Sequence, residues 1–259
     1  MAGKCLKTFP YYPFTVELDV FCGKSVKGSP QLIHFLKEPA QIQECKLETM
    51  EAGIDYTLAC YDHKETVSVQ WYNHAGSIQF CGSAAYGLSY YLMRQYGVKY
   101  LSILAPHIKV TAHCNSQVRL HIPARTIKFQ ASDFMNFGAL YHYAKSGIYF
   151  LEIKEKFMLI DPIWTTEYIL SLPLDEPHGL CIFYWEQQKK QGYLRYFTPW
   201  HGREEDHVTG SVQQYITPVI HHLYGVSTQH WMQCSSKGGE LVSEYENDAV
   251  ILCGNVRVY

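Results

Sequence analysis

Two stretches of the 259-residue chain carry one pattern twice. Residues 71–98 read WYNHAGSIQFCGSAAYGLSYYLMRQYGV, and residues 196–226 read YFTPWHGREEDHVTGSVQQYITPVIHHLYGV. Each has an aromatic pair suited to close a strand, a polar loop, a Gly-Ser turn, helical apolar spacing and a Tyr-Gly-Val ending. The separation from Gly82 to Gly97 equals that from Gly210 to Gly225. A match at fixed spacing implies two related halves, and paired halves commonly bury a ligand site between them.

The repeat's physical content lies at its helix starts. Ser83 and Ser211 each follow a glycine and precede apolar residues at helical spacing, Ala84, Leu88 and Leu92 in one copy and Val212, Ile216 or Tyr215, Val219 and Leu223 in the other. The pattern predicts two helices with those serines as N-caps. Gly97 and Gly225 stand where a left-handed residue ends a helix, and Pro218 removes a backbone donor inside the second. A glycine beside a helix start lets an anion reach unpaired amides and the positive end of the helix dipole. Two such starts would clamp a carboxylate; alternatively each Gly-Ser only begins a helix.

Composition narrows the function classes. A formal net charge of −2 without a long basic run disfavours nucleic acid and anionic membranes. The first residues lack a continuous apolar stretch, and no segment is long enough to span a bilayer, so a soluble cytoplasmic chain is expected. Nine cysteines, odd in number and without Cys-x-x-Cys spacing, argue for reduced core thiols. His221 and His222 are adjacent and not four apart, so no metal site is expected.

Short strand-type segments fill the remainder: Val16 to Phe21, Leu32 to Leu36, Thr57 to Cys60, Val67 to Trp71, Tyr100 to Leu104, Ile108 to Ala112 and Val118 to Ile122. After Pro123 the series restarts with Gly147 to Ile153, Met158 to Ile160, Gly179 to Trp185, Tyr193 to Phe197 and Ala249 to Cys253. Helices are expected from Pro39 to about Met50 and from Pro162 to about Leu170. The boundary between halves is placed at Ile122-Pro123-Ala124, giving residues 1–122 and 123–248.

The residues resemble the phenazine-biosynthesis PhzF-like proteins of the diaminopimelate-epimerase superfamily across nearly the whole chain. LDVFCGKSVKGSPQLI is similar to that family's opening strand and Gly-Asn-Pro segment. FCGSAAYG resembles its Cys-Gly-His-Ala-Thr turn, and VILCGNVRVY its closing strand. The most specific segment is RYFTPWHGREEDHVTGS, similar to the Phe-x-Pro…Glu-Asp-Pro-Val-Thr-Gly-Ser block, with Glu205, Asp206, Thr209, Gly210 and Ser211 in place.

This resemblance implies an α+β fold of two pseudo-symmetric halves, each a curved β-sheet wrapped around a central helix, with the final strand (249–259) returning to the first half. It also implies a homodimer and a cofactor-independent isomerase that moves a proton on a small carboxylate-bearing metabolite, cyclic in the characterised members. The family's acid/base glutamate is matched most nearly by Asp55, one methylene shorter. Ser83 stands where the family has histidine and Ser29 where it has the asparagine of Gly-Asn-Pro.

The implied catalytic candidates are Asp55, Asp206 and Cys81. Gly82, Ser83, Thr209, Gly210, Ser211, Ser29 and His207 are the candidates for substrate binding. Cys81 and His207 occupy the places of the two opposed bases of the superfamily's racemases, and a helix N-terminus lowers a thiol's pKa. Three readings follow: a proton-moving isomerase, a catalytically silent relative that binds a metabolite or protein, and a cysteine-based epimerase using Cys81.

Overall fold

The computed structural model describes residues 12–44, 54–125, 128–134, 137–143, 147–175 and 177–259. The first half runs β1 (Phe14–Val20), β2 (Ser29–Phe35), α1 (Ala40–Glu44), β3 (Asp55–Tyr61), β4 (Thr66–Asn73), β5 (Gly76–Ile78), α2 (Gly82–Tyr96), β6 (Tyr100–Ala105), β7 (Ile108–Cys114) and β8 (Val118–Pro123). The second runs β9 (Lys128–Phe134), β10 (Gly138–Tyr143), β11 (Ile148–Ile153), α3 (Thr166–Ser171), β12 (Gly179–Glu186), β13 (Gln191–Thr198), β14 (Arg203–Glu205), α4 (Gln213–Tyr224), β15 (Thr228–Gln233), β16 (Gly239–Glu246), β17 (Ala249–Gly254) and β18 (Val256–Val258).

Strand pairing reproduces the doubling read from the sequence. In the first half β1 and β2 pair antiparallel, β2 and β3 parallel, β3 and β4 antiparallel, and β4 and β6 parallel, before the β6-β7-β8 meander. In the second half β10 and β11 are antiparallel, β11 and β12 parallel, β12 and β13 antiparallel, and β13 and β15 parallel, before β15-β16-β17. The short strands β5 and β14 fold back on β4 and β13. The halves are stitched by the antiparallel seam of β8 against β17. Beyond it β18 pairs with β1 as β9 pairs with β10.

This is an α+β fold in which each half wraps a curved sheet around one helix, and burial shows why each helix takes that place. α2 is buried almost all round, from Gly82 through Ser89 and again at Tyr91, Leu92 and Met93, so its expected apolar stripe is a wider surface. A helix apolar on every side belongs in a core. Tyr86, fully buried, anchors it: its hydroxyl donates to the Gly254 carbonyl (2.8 Å) and accepts from the Gly254 amide (2.9 Å). Leu88 and Leu92 are fully buried too, and truncating either to Ala costs about 2–5 kcal/mol. α4 buries Ile216, Val219 and Ile220, and runs unbroken through Pro218.

Both helices end on left-handed glycines as expected, Gly97 at φ 73° and Gly225 at φ 66°. Their starts differ from the expectation. The N-cap of α2 is Cys81, whose Sγ accepts from the Ala84 amide, so Ser83 lies within the first turn. α4 begins two residues beyond Ser211, after a turn in which the Thr209 hydroxyl accepts from the Val212 amide. In both copies the residue before the glycine supplies the side-chain acceptor, while the serine after it does not.

Other expectations shift locally. Met158–Ile160 is a 3₁₀ turn (Lys156–Ile160) and not a strand, with Leu159 buried while Phe157 and Ile160 are exposed. The helix predicted from Pro39 is described only as Ala40–Glu44, and the rest of that span lies outside the described residues. Its counterpart in the second half is shifted, starting at Thr166 on a Thr165 cap. Among the described residues no helix is long and apolar enough to cross a membrane, and the described cysteines are free thiols, all buried except the partly exposed Cys234.

Candidate active site

The two Gly-Ser turns meet. A Cβ placed on Gly82 would lie 2.5 Å from both the Gly210 carbonyl carbon and the Ser211 amide nitrogen. One placed on Gly210 would lie 2.8 Å from the Gly82 carbonyl carbon and 3.0 Å from the Ser83 nitrogen. The contact is reciprocal, as a pseudo-two-fold axis between the halves requires, and only glycine permits backbones this close. Around this junction a cavity of about 330 Å³ opens, lined by both turns and by side chains from both halves.

Asp55 enters from the first half. It opens β3, beside Gln31 on the parallel neighbour β2. Its relative exposure is 3%, and three groups hold it. Gln31 Nε2 donates to Oδ2 at 3.1 Å, the Cys81 thiol donates to the same oxygen at 3.6 Å, and Arg203 Nη2 donates to Oδ1 at 2.6 Å. Asp55 is therefore held in an ion pair with Arg203. Both partners are nearly buried, the Arg203 side chain at 11% and that of Asp55 at 4%.

Arg203 comes from the second half, at the start of β14, where a register shift beside Thr198 turns the strand back along β13. Its other terminal nitrogen, Nη1, donates to Asp206 Oδ1 at 3.0 Å. One guanidinium therefore bridges the two candidate carboxylates, and this residue was missed by sequence reasoning. Gln31 was missed as well, although it lies in the Gly-Ser-Pro-Gln segment; its Nε2 also lies within 3.0 Å of Ser29 Oγ and 3.3 Å of Ser83 Oγ. Two atoms of this cluster, Arg203 Nε and Gln31 Oε1, are buried with no hydrogen-bond partner among the described residues.

The remaining candidates divide by position. Cys81, Gly82, Ser83, Asp206, Thr209, Gly210 and Ser211 line the cavity with Asp55. Thr209 is fixed by its amide, which donates to Gln233 Oε1 at 2.8 Å. Ser29 does not line the cavity; it is buried behind Gln31 and supports that side chain. His207 also lies off the cavity, with its carbonyl accepting from the Ser235 hydroxyl. Tyr196 and Tyr215 add aromatic walls.

Proton affinities follow from these surroundings. Burial pushes the Cys81 thiol well above its ordinary value, and the neighbouring Asp55 charge adds to this. The expectation of a thiol activated by the helix terminus is thus reversed, because desolvation and a carboxylate outweigh the dipole. Asp206 is raised, mainly by burial, against the pull of Arg203. Burial, with Lys237 and Arg203 adding to it, drives His207 down to about 4, so its imidazole is neutral at physiological pH. Neither member of the expected Cys81–His207 pair carries charge there.

No protein-family model matches the chain. A stretch of 56 residues is 41% identical to a phenazine biosynthesis-like domain-containing protein of Bos taurus, and 49 residues are 45% identical to a human protein of the same name. These stretches span 19% of the bovine protein and 17% of the human one. The fold extends much further. A PhzF-family phenazine biosynthesis protein from Enterococcus faecalis superposes with a TM-score of 0.77 at 17% identity, over 95% of this chain and 96% of that one. A predicted epimerase from Pseudomonas aeruginosa reaches 0.63 at 13% identity, over 95% and 97% of the two chains. A hydroxyproline epimerase from Agrobacterium vitis with bound trans-4-hydroxy-L-proline reaches 0.56 at 10% identity, over 95% and 91%.

Proposed function

We propose that this PhzF-like chain is an isomerase that moves a proton on a small carboxylate-bearing metabolite within the cavity between its halves. The observation that carries this reading is the convergence of a nearly buried carboxylate, Asp55, with two abutting Gly-Ser turns on one cavity. Amides at a helix start and in a tight turn attract an anionic group. A substrate whose acid group rests on the Gly82, Ser83, Gly210 and Ser211 backbone presents its adjacent carbon to the carboxylates in the same cavity.

In this mechanism Asp55 accepts a proton from that carbon and returns it to a neighbouring position, so the substrate's atoms and electrons balance without a second reactant. Positioned acid/base catalysis of this kind contributes about 10²–10⁴-fold in rate. Asp206, whose carboxyl is raised by burial, holds a polar substituent of the substrate through a hydrogen bond.

A second reading, binding without turnover, is favoured by one observation: Arg203 already occupies Oδ1 of Asp55 at 2.6 Å. Proton NMR in heavy water separates the two. The probes are trans-4-hydroxy-L-proline, the ligand of a structural neighbour, and a dihydro-hydroxyanthranilate, the substrate class of the resembled family. Loss of a carbon-bound proton signal in the presence of the protein supports the isomerase. Ligand-induced thermal stabilisation with every such signal retained supports the silent reading.

A further inference from the structure

The charge inventory of the cavity isolates one residue. Asp55 and Asp206 both line it, and among the described residues lining it Arg203 is the one permanently charged cation. Without Arg203 the cavity would hold two carboxylates and repel a third. With it, the cluster keeps a positive centre whose ion-pair hydrogen bonds reach only from Nη1 and Nη2, while buried Nε–H goes unpaired. An orphaned buried donor is costly. A different side chain shows what the same group does when fully engaged: Arg195 takes Glu205 with Nε at 2.8 Å and Nη2 at 2.9 Å, both donors of one edge on one carboxylate. On Arg203 that edge is half used, because the second oxygen of Asp55 is held by Gln31 and Cys81.

We infer that Arg203 is the specificity residue of this site, exchanging its bond to Asp55 for the substrate's carboxylate, so that anion binding and release of the Asp55 base are one event. The inference rests on the reading that the cavity takes a small carboxylate. A bidentate carboxylate on the Nε/Nη2 edge satisfies the orphaned donor and is the geometry arginine favours. Asp55 Oδ1 is then free to accept a proton, while Gln31 and Cys81 hold Oδ2 in place. Neutral analogues leave Arg203 on Asp55 and are excluded from chemistry, which makes the acid group a requirement for catalysis beyond its contribution to binding.

The test is binding of a matched pair, anthranilate and anthranilamide, to the full chain by calorimetry and thermal shift. Wild type is expected to favour the acid by at least about 10-fold, consistent with a charge-assisted pair. Arg203→Gln should abolish that preference. Asp55→Asn, which removes the competing anion, should tighten anthranilate by about 3- to 10-fold, and the acid preference of that variant should be lost when Arg203→Gln is added, which a purely structural role for Arg203 does not produce. Because Arg203→Gln strands the nearly buried Asp55 carboxylate, Arg203→Gln/Asp55→Asn serves as the folded control and should show the same lost preference.

A variant lacking Arg203 that still prefers the acid overturns the inference while leaving the carboxylate reading intact, since the backbone turns alone would then hold the anion. A wild type that does not prefer the acid overturns both. Loss of preference without proton exchange in any variant upholds Arg203 as the anion contact and removes only the isomerase.

Discussion

Gly82 and Gly210 touch backbone to backbone across the two halves, at distances no residue with a Cβ can reach. We predict that Gly82→Ala destabilises the fold by about 3 kcal/mol or more, since both neighbouring atoms are main chain and cannot swing aside. Gly225→Ala meets no atom within 4 Å and pays only for its φ of 66°, about 1–2 kcal/mol. Urea denaturation of the two variants checks the contrast; equal losses would show that the turns do not hold this contact.

The Arg203–Asp55 pair should behave as a coupled buried ion pair. Arg203→Met alone is expected to lose about 3–5 kcal/mol, because it strands a carboxylate that is nearly excluded from water. Asp55→Asn added to Arg203→Met should recover part of that loss. A double-mutant cycle that returns additive effects would show the two side chains to be independent.

How far the site was legible follows from the distances involved. Gly82 and Gly210 were visible because local pattern carries them, a glycine before a helix start in each copy of the repeat, whereas Asp55 and Asp206 came only from the resemblance to a family motif. Arg203 gained its meaning from a partner 148 positions away, and no spacing within its own segment points there. Ser29 and His207 were named for their places beside a motif, yet one lies behind Gln31 and the other off the cavity.

The same limit applies to the fold. Strand β15 went unrecognised because its inward positions are Gln229, Trp231 and Gln233, two of them polar. Those glutamines are buried and satisfied, with Gln229 Nε2 donating to the Thr217 and Val226 carbonyls. An alternation rule built on apolar residues cannot see a strand whose buried face carries amides.

Stability should depend on pH through His207. Its folded-state value of about 4 lies below the ordinary 6.5, so the unfolded chain takes up the proton first. Stability is full above pH 6.5 and falls as pH drops toward 4. His207→Gln should flatten that slope in thermal melts. Some slope should persist, because burial depresses His34 and His121 as well. A wild-type Tm that holds level across the window would contradict the buried neutral imidazole.

Cys81 should be inert. It is buried at 7% exposure, its thiol is held protonated, and it caps α2 through the Ala84 amide. Iodoacetamide near neutral pH should leave it unmodified in the folded chain and label it readily in urea, as read by peptide mass spectrometry. Rapid labelling of the native protein would restore the cysteine-based epimerase.

The most direct test of proton transfer by Asp55 is deuterium incorporation into a responsive cyclic carboxylate in heavy water, followed for wild type and Asp55→Asn at matched concentration. We predict that the asparagine variant, which keeps a group of the same size but cannot accept the proton, loses about 10²-fold or more of the exchange rate while still binding the acid. Exchange within about 3-fold of wild type would mean that another group moves the proton.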